Sequence, residues 1–193
     1  MAMAVSLAAI EGARSEQDAG LDSDARLALL ARRDPGAFSP LYRRHYPMIV
    51  GYLYRRLGDA HVAEDLAADT FIAALNAIGR YRPTGAPFRA WLLRIATNLA
   101  NNHVRQAARR RSRLSCIEQW KRDRPAADDE AEAARAALAA LTPDHQAVLC
   151  LHHVEGLRVE EIAVILGCRV GTVKSRLSRA REAMRSQLEG ERS

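Results

Sequence analysis

The stretch EGLRVEEIAVILGCRVGTVKSRLSRAREAM, from Glu155 to Met184, decides the fold of the last third of the chain. Ile162, Ile165 and Leu166 fall at the spacing of a buried helix edge, and Gly167 permits a sharp turn after them. A second apolar series at helical spacing predicts a second helix: Val170, Val173, Leu177, Ala180 and Met184. Two helices joined in this way are typical of a helix-turn-helix, whose second helix enters the major groove of DNA.

The outward face of that second helix is basic and polar. Its side chains can bind phosphates or base edges: Thr172, Lys174, Ser175, Arg176 and Arg179. An amphipathic helical hairpin without DNA-binding function is the alternative interpretation. The spacing does not indicate which process the DNA-bound protein would regulate.

The rest of the chain is also predicted to be helical, which makes the fold class all-α. Sustained period-two alternation is lacking, and β-branched residues are sparse beside Ala, Leu and Arg. Helices are expected from a cap at Asp22 or Asp24 to about residue 33, and over 38–57 with an interruption or bend at Pro47. Further helices are expected over 61–78, 88–111, 130–141 and, with Thr142 as N-cap and Pro143 as first residue, to about 154.

These elements predict two small helical domains joined by a flexible linker. We expect a loose N-terminal tail at 1–21, a first domain at 22–112, a linker at 113–134 and a second domain at 135–190. The linker is placed where helical periodicity is weak and charge is mixed. The length of 193 residues suits two small domains.

Charge is distributed in blocks along the chain, although the net charge is only +6. Residues 80–124 hold twelve basic residues against two acids, and residues 169–185 hold six against one. Residues 59–69 hold four acids and no Lys or Arg. Blocks of opposite sign indicate a protein with more than one kind of partner.

The long fourth helix is expected to have a core face and a polar face. Its apolar stripe is Phe88, Trp91, Leu92, Ile95 and Leu99, and its polar face is Arg94, Asn98, Asn102, Arg105 and Arg109. Asn is a poor mid-helix residue, but its amide can pair with a base edge while Arg binds phosphate. The preceding loop, with Tyr81 and Arg82, could stack on or enclose an unstacked base. A solvated helix face and a plain connecting loop are the alternatives.

The third helix is expected to direct its acids outward. Phe71, Leu75 and Ile78 are assigned to the core, which leaves Glu64, Asp65 and Asp69 outside. DNA would repel these carboxylates, so the face belongs to a protein partner or to solvent. The same three acids are the only candidates for a nuclease or recombinase centre, and they lack neighbouring basic residues to hold a phosphate.

Several other classes of protein are disfavoured. Cys116, Cys150 and Cys168 form no C-x-x-C pair, so neither a disulfide framework nor a zinc site with His152 and His153 is expected. No apolar run approaches the roughly 20 residues that span a bilayer, and the N-terminus lacks the basic start of a secretory signal. We expect a cytoplasmic protein without a cofactor, without membrane insertion and without enzymatic activity.

The chain resembles the extracytoplasmic-function sigma factors, small initiation factors of bacterial RNA polymerase. The resemblance spans about 22–188, except for the linker. Three blocks carry it in the family's order: AEDLAADTFIAAL, FRAWLLRIATNLANNHVR and the C-terminal helix pair. It implies a region 2-like first domain, which reads and melts the promoter −10 element, and a region 4-like second domain, which reads the −35 element.

The resemblance also implies roles for particular residues. Glu64, Asp65 and Asp69 would bind the β′ clamp helices of core polymerase, and the second domain would also meet the β flap. The −10 element would be contacted by Tyr81, Arg82, Phe88, Asn98, Asn102, Arg105 and Arg109. The −35 element would be contacted by Thr172, Lys174, Ser175, Arg176 and Arg179. Family members are commonly held by an anti-sigma factor. The chain departs from the family pattern at Ala68, where the family often has glutamine, and at Arg158, which replaces the usual Ser or Thr helix cap.

A stand-alone helix-turn-helix regulator that dimerises on a palindrome is the rival interpretation. It accounts for the C-terminal third of the chain. It leaves the acidic third helix and the Asn and Arg face of the fourth helix without a role.

Overall fold

The computed structural model describes residues 23–83, 86–114 and 129–190, and within these ranges it contains helices and no β-strand. The helices are α1 (23–30), α2 (Ser39–Leu57), α3 (Ala60–Ala77), α4 (Phe88–Leu114), α5 (Asp129–Ala140), α6 (Pro143–Leu149), α7 (Val159–Leu166) and α8 (Val170–Gly190). Short 3₁₀ turns cover Pro35–Phe38 and Ile78–Arg80, and a π-helical turn, Cys150–Val154, follows α6. The all-α prediction is confirmed.

Local sequence signals set several helix ends. Gly58 adopts the left-handed conformation at φ 70° and ends α2 with its N–H on the Tyr54 carbonyl. The Asp59 carboxylate then caps α3 by accepting from the Val62 N–H at 3.1 Å. The predicted restart at Thr142 is confirmed, since its hydroxyl accepts from the His145 N–H and Pro143 is the first helical residue.

Two expectations near the N-terminus differ from the structure. The helix α2 continues through Pro47 without interruption. Its fully buried residues Leu41, Ile49 and Leu53 hold it against the core on both sides of the proline, which offsets the lost hydrogen bond. Asp24 does not cap α1 but lies within it, and its buried carboxylate accepts from Arg44 and His45 of α2. Asp22, the tail and most of the linker lie outside the described residues.

The first domain is built on α2, α3 and α4, which pack pairwise against one another. Its core contains the fully buried rings of Tyr52 and Phe88. The Tyr52 hydroxyl is paired with Thr97 Oγ1 at 2.8 Å, which satisfies a polar group inside this core. The arrangement leaves one side of α3 and one side of α4 exposed.

The second domain consists of α5 to α8, with α8 packed on α5, α6 and α7. The predicted core residues Ile162, Val173 and Ala180 are fully buried. The two domains are in contact, because α4 packs on α6 and α7 while α2 packs on α5 and the π-helical turn. Their buried apolar residues form one continuous cluster.

Candidate nucleic-acid interface

The second helix of the helix-turn-helix, α8, presents the predicted basic side chains outward. Lys174, Ser175 and Arg179 are exposed, opposite the buried Val173 and Leu177. We call Thr172, Lys174, Ser175, Arg176 and Arg179 the α8 basic face. It has the shape and charge of a helix that enters a major groove.

Two members of the α8 basic face are held by the protein itself. The Ser175 hydroxyl donates to the backbone carbonyl of Thr172 at 3.0 Å, and Thr172 itself is half-buried. Arg176 is also half-buried, and its Nη2 lies 3.0 Å from Asp144 Oδ2 in the first turn of α6. Sequence reasoning did not link Arg176 to an acid 32 positions earlier, because only the packing of α6 on α8 brings them together.

The turn between α7 and α8 is formed as predicted. Gly167 adopts the left-handed conformation at φ 63°, and its N–H bonds to carbonyls of the last turn of α7. At the start of α7, Arg158 offers no acceptor to cap the helix. The Glu161 carboxylate accepts from the Arg158 N–H at 2.9 Å instead, which anchors this helix start without the Ser or Thr of the family pattern.

The polar side of α4 is exposed over about three turns. Asn98, Asn102, Arg105 and Arg109 are all exposed, and we call them the α4 polar face. Arg94 lies on the same side but next to the second domain, since a Cβ at Gly167 would lie 3.6 Å from its Nη2. The buried side of α4 is wider than the predicted stripe, and it includes Leu93, because helices of both domains pack around it.

The loop before α4 and the first residue of α4 correct two of the predicted −10 contacts, while the predicted core position of Phe88 is confirmed. Phe88 is fully buried and Tyr81 is 3% exposed, so their side chains pack in the core and cannot stack on a base in this structure. Their ring centroids lie 5.4 Å apart, and both rings contact Trp91. Burial accordingly raises the pKa of Tyr81. Arg82 is exposed, with Nη1 donating to the Gly79 carbonyl at 3.2 Å and to the Tyr81 carbonyl at 3.1 Å.

The helix α3 exposes its acids as predicted. Glu64, Asp65 and Asp69 are exposed, and we call them the α3 acidic face. Leu75, which was assigned to the core, is 38% exposed, because the buried stripe passes through Ala67, Phe71 and Ala74 instead.

Ile72 was missed by sequence reasoning and is 59% exposed, three residues after Asp69. Ile72 directly follows Phe71 and therefore lies about 100° away from it around the helix, outside the buried stripe. This position in the helical repeat could have predicted its exposure from the sequence. Large apolar side chains beside carboxylates favour a protein partner over DNA.

The cysteine and histidines after α6 do not form a metal-binding cluster. Burial raises the pKa of the Cys150 thiol to about 11, which keeps it protonated. His152 Nδ1 is paired with the Leu157 carbonyl at 3.0 Å, and His153 Nε2 accepts from Arg181 at 3.3 Å. Among the described residues no three His, Cys, Asp or Glu side chains are grouped to hold a metal ion. No helix in the same ranges is long and apolar enough to cross a membrane.

Comparison with known families matches both domains. The family model for Sigma-70 region 2 matches residues 41–110, and the model for Sigma-70 region 4 matches residues 131–184. These ranges contain the α3 acidic face, the α4 polar face and the α8 basic face. A stand-alone helix-turn-helix regulator is therefore not favoured, since the match extends through the first domain.

Curated relatives carry the same designation. The chain is 36% identical over 173 residues to the RNA polymerase sigma-H factor of Pseudomonas aeruginosa, covering 82% of this chain and 89% of that protein. It is 35% identical over 162 residues to the ECF RNA polymerase sigma factor SigE of Mycolicibacterium smegmatis, covering 79% of this chain. This match spans 62% of the length of SigE.

Solved structures agree with the fold. The sigma factor RpoE in complex with the anti-sigma factor NepR from Bartonella quintana superposes with a TM-score of 0.63 at 26% identity, covering 79% of this chain and 96% of that one. CnrH in complex with the cytosolic domain of CnrY gives a TM-score of 0.63 at 29% identity, covering 86% and 97%. On the strength of both family matches and these relatives, the chain belongs to the extracytoplasmic-function (ECF) sigma factors, a family of transcription initiation factors.

Proposed function

We propose that this protein binds core RNA polymerase in the cytoplasm, directs it to promoters with a −10 and a −35 element, and promotes their melting. The observation that carries this function is the presence of three different surfaces on one chain. The α3 acidic face repels DNA, whereas the α4 polar face and the α8 basic face attract it. A protein that binds only DNA has no use for the first surface.

The α3 acidic face and the exposed Ile72 form the contact with the β′ clamp helices of polymerase. Carboxylates around an apolar side chain suit a basic protein surface with an apolar centre. The second domain would contact the β flap through a surface away from the α8 basic face. Neither contact involves a covalent step, a metal or a cofactor.

The α4 polar face, together with Arg82, contacts the −10 element. Asn98 and Asn102 offer amides to unstacked bases, and Arg105 and Arg109 follow the phosphates. Unstacking costs a few kcal/mol per base, and these contacts offset it in the melted state. Tyr81 and Phe88 support this surface from the core by fixing the start of α4.

The α8 basic face contacts the −35 element in the major groove. Lys174, Arg176 and Arg179 supply phosphate or base contacts, and Thr172 and Ser175 supply hydroxyls of shorter reach. Asp144 holds the Arg176 guanidinium on the flank of α8 and so restricts which bases or phosphates it can reach.

An anti-sigma factor is the regulatory partner that we propose. A groove of about 1130 Å³ lies between α2, α5, the π-helical turn and α8. Tyr54 and Val154 are 43% and 46% exposed in it, and Arg55, Arg181 and Arg185 contribute charge. An amphipathic helix with acidic residues fits this apolar and basic lining. The two similar structures are themselves complexes with anti-sigma or companion proteins.

The experiment that tests the proposed function is run-off transcription with bacterial core polymerase on fragments of the source genome. The variant Asp65→Arg should no longer bind core polymerase in a pull-down and should no longer support the transcript. The matched control Glu182→Arg reverses an exposed acid on α8 and should keep polymerase binding. The double variant Arg176→Ala with Arg179→Ala should still bind core polymerase in the pull-down but should no longer give the promoter-specific transcript.

Retention of polymerase by Asp65→Arg would contradict the assignment of the α3 acidic face. For the groove, Val154→Asp should release transcription from inhibition by an added anti-sigma segment while leaving uninhibited transcription unchanged. Equal inhibition of the wild type and this variant would place the anti-sigma factor elsewhere.

A further inference from the structure

Two ion pairs join the first domain to the second. Arg55 Nη2 on α2 lies 2.6 Å from Glu155 Oε1, which follows the π-helical turn. Arg89 Nη2 at the start of α4 lies 3.6 Å from Glu161 Oε1 on α7. The Glu155 side chain is 10% exposed and the Glu161 side chain 19%, so both carboxylates are partly shielded from water. The Arg55 and Arg89 side chains are 44% and 39% exposed, so each pair is shielded from water mainly on its carboxylate side.

A buried arginine forms a third connection between the domains. Arg56 is 3% exposed, and its guanidinium donates to the Thr97 carbonyl at 3.4 Å and to the side chain of Asn101 within the first domain. Its Nη2 also donates to the Pro143 carbonyl of the second domain at 2.9 Å. Separation of the domains would remove this partner from a buried cation.

Apolar contact continues between these polar links. Cys150 of the π-helical turn is 2% exposed, and the domains share one buried cluster that runs from Tyr52 and Leu93 to Leu151 and Ile162. The contact therefore has an apolar centre with polar links around it, which is the usual construction of a specific interface.

This contact is incompatible with reading two separated promoter elements at once. Elements centred near −10 and −35 lie about 25 base pairs apart, or about 85 Å of duplex at about 3.4 Å per base pair. In the structure, however, α4 and α7 are in direct contact, and Arg94 lies beside the turn of the helix-turn-helix. The helix that carries the α4 polar face is therefore packed directly on the helix-turn-helix, whereas the elements that they would read are separated along the DNA.

We propose that Arg55, Arg56 and Arg89 with their partners form an interdomain latch, which holds the free protein closed and prevents it from engaging both elements until polymerase separates the domains. The latch regulates the proposed promoter recognition and therefore rests on the proposed function. It acts within one chain and needs no anti-sigma factor.

The test compares affinities of the free protein for two DNA molecules. One is a fork-junction DNA with a duplex −35 element and a single-stranded −10 element, and the other lacks the −35 element. For the closed wild type the two affinities should agree within about threefold, because only one face binds. Arg55→Glu should bind the two-element DNA at least about tenfold more tightly than the DNA that lacks the −35 element. Once one domain of the opened protein is bound, the second element is at a high effective concentration for the other domain.

A charge exchange separates the latch from a general effect of charge. Arg55→Glu with Glu155→Arg restores the ion pair and should return the affinity ratio to the wild-type value. The control Arg33→Glu reverses an exposed arginine after α1 and should leave the ratio unchanged. Arg89→Glu breaks the other ion pair and should raise the ratio independently, with folding of every variant checked by circular dichroism.

Equal ratios in the wild type, Arg55→Glu and Arg89→Glu would overturn the latch, as would failure of the charge exchange to restore the wild-type ratio. Run-off transcription by the wild type with core polymerase is measured in parallel. A specific transcript together with equal ratios would reject the latch and leave the proposed function standing. Absence of a wild-type transcript would reject the proposed function and the latch with it.

Discussion

At the scale of single residues, His45 is the buried histidine whose surroundings make stability depend on pH. Burial disfavours its charged form and lowers its pKa below 6.5, against the opposing attraction of the Asp24 carboxylate. Arg44 and Arg89 lower the pKa further by repulsion, and the Phe88 ring packs against the imidazole with centroids 5.6 Å apart. His45 is therefore mainly neutral in the folded protein near pH 7.

A lowered histidine pKa predicts loss of stability in mild acid. The unfolded chain binds a proton as pH falls through 6.5, whereas the folded protein resists it, so the free energy of unfolding should decrease below about pH 6.5. His45→Gln removes this titration and should make the decrease below about pH 6.5 shallower, while His153, whose pKa is also lowered, keeps a part of it. Urea unfolding at several pH values measures it. An equally steep decrease in the variant would show that another group is responsible.

Phe88 and Asn98 lie ten residues apart on α4 and are expected to respond in opposite ways to substitution. Phe88→Ala opens a cavity in the core and should lower the free energy of unfolding by about 3–5 kcal/mol. Asn98→Ala changes an exposed position and should leave stability within a few tenths of a kcal/mol while weakening binding to single-stranded −10 DNA. Denaturant unfolding and fluorescence anisotropy measure the two quantities. Normal stability of Phe88→Ala would contradict its place in the core.

At the scale of elements, the turn between α7 and α8 depends on one backbone conformation. Gly167→Ala should lower the free energy of unfolding by about 1 kcal/mol, because an L-residue is strained at φ 63°. Gly171 lies in the first turn of α8 with nothing within 4 Å of an added Cβ. Gly171→Ala should therefore raise stability, by about 0.5 kcal/mol. Thermal unfolding compares the two variants, and equal effects would remove the special role of Gly167.

Helix ends could be predicted from the sequence because their causes are local. Gly167 and Thr142 act through their own backbone or hydroxyl, so nearby residues suffice to recognise them. The burial of Tyr81 and the exposure of Leu75 could not be predicted in this way. They depend on which side of a helix or loop the neighbouring helices cover. A hydrophobic pattern favours a large leucine as the core residue over small residues such as Ala67, although the small residues are the buried ones here.

At the scale of the whole molecule, the order of the two domains could be predicted, but their contact could not. The α8 basic face and the α4 polar face follow from helical periodicity within one segment each. The Arg55–Glu155 pair joins residues 100 positions apart, and either side chain alone is typical of a solvated surface. Domain contact is also what places Arg94 beside Gly167.

The central question is whether promoter recognition requires both this protein and core polymerase. Run-off transcription is measured with core polymerase alone and with the protein added, on a promoter fragment and on copies with either element scrambled. We expect one start-site-specific transcript that needs the protein and disappears when either element is scrambled. No stimulation of core polymerase, together with tight binding of the protein alone to a duplex palindrome, would contradict this expectation.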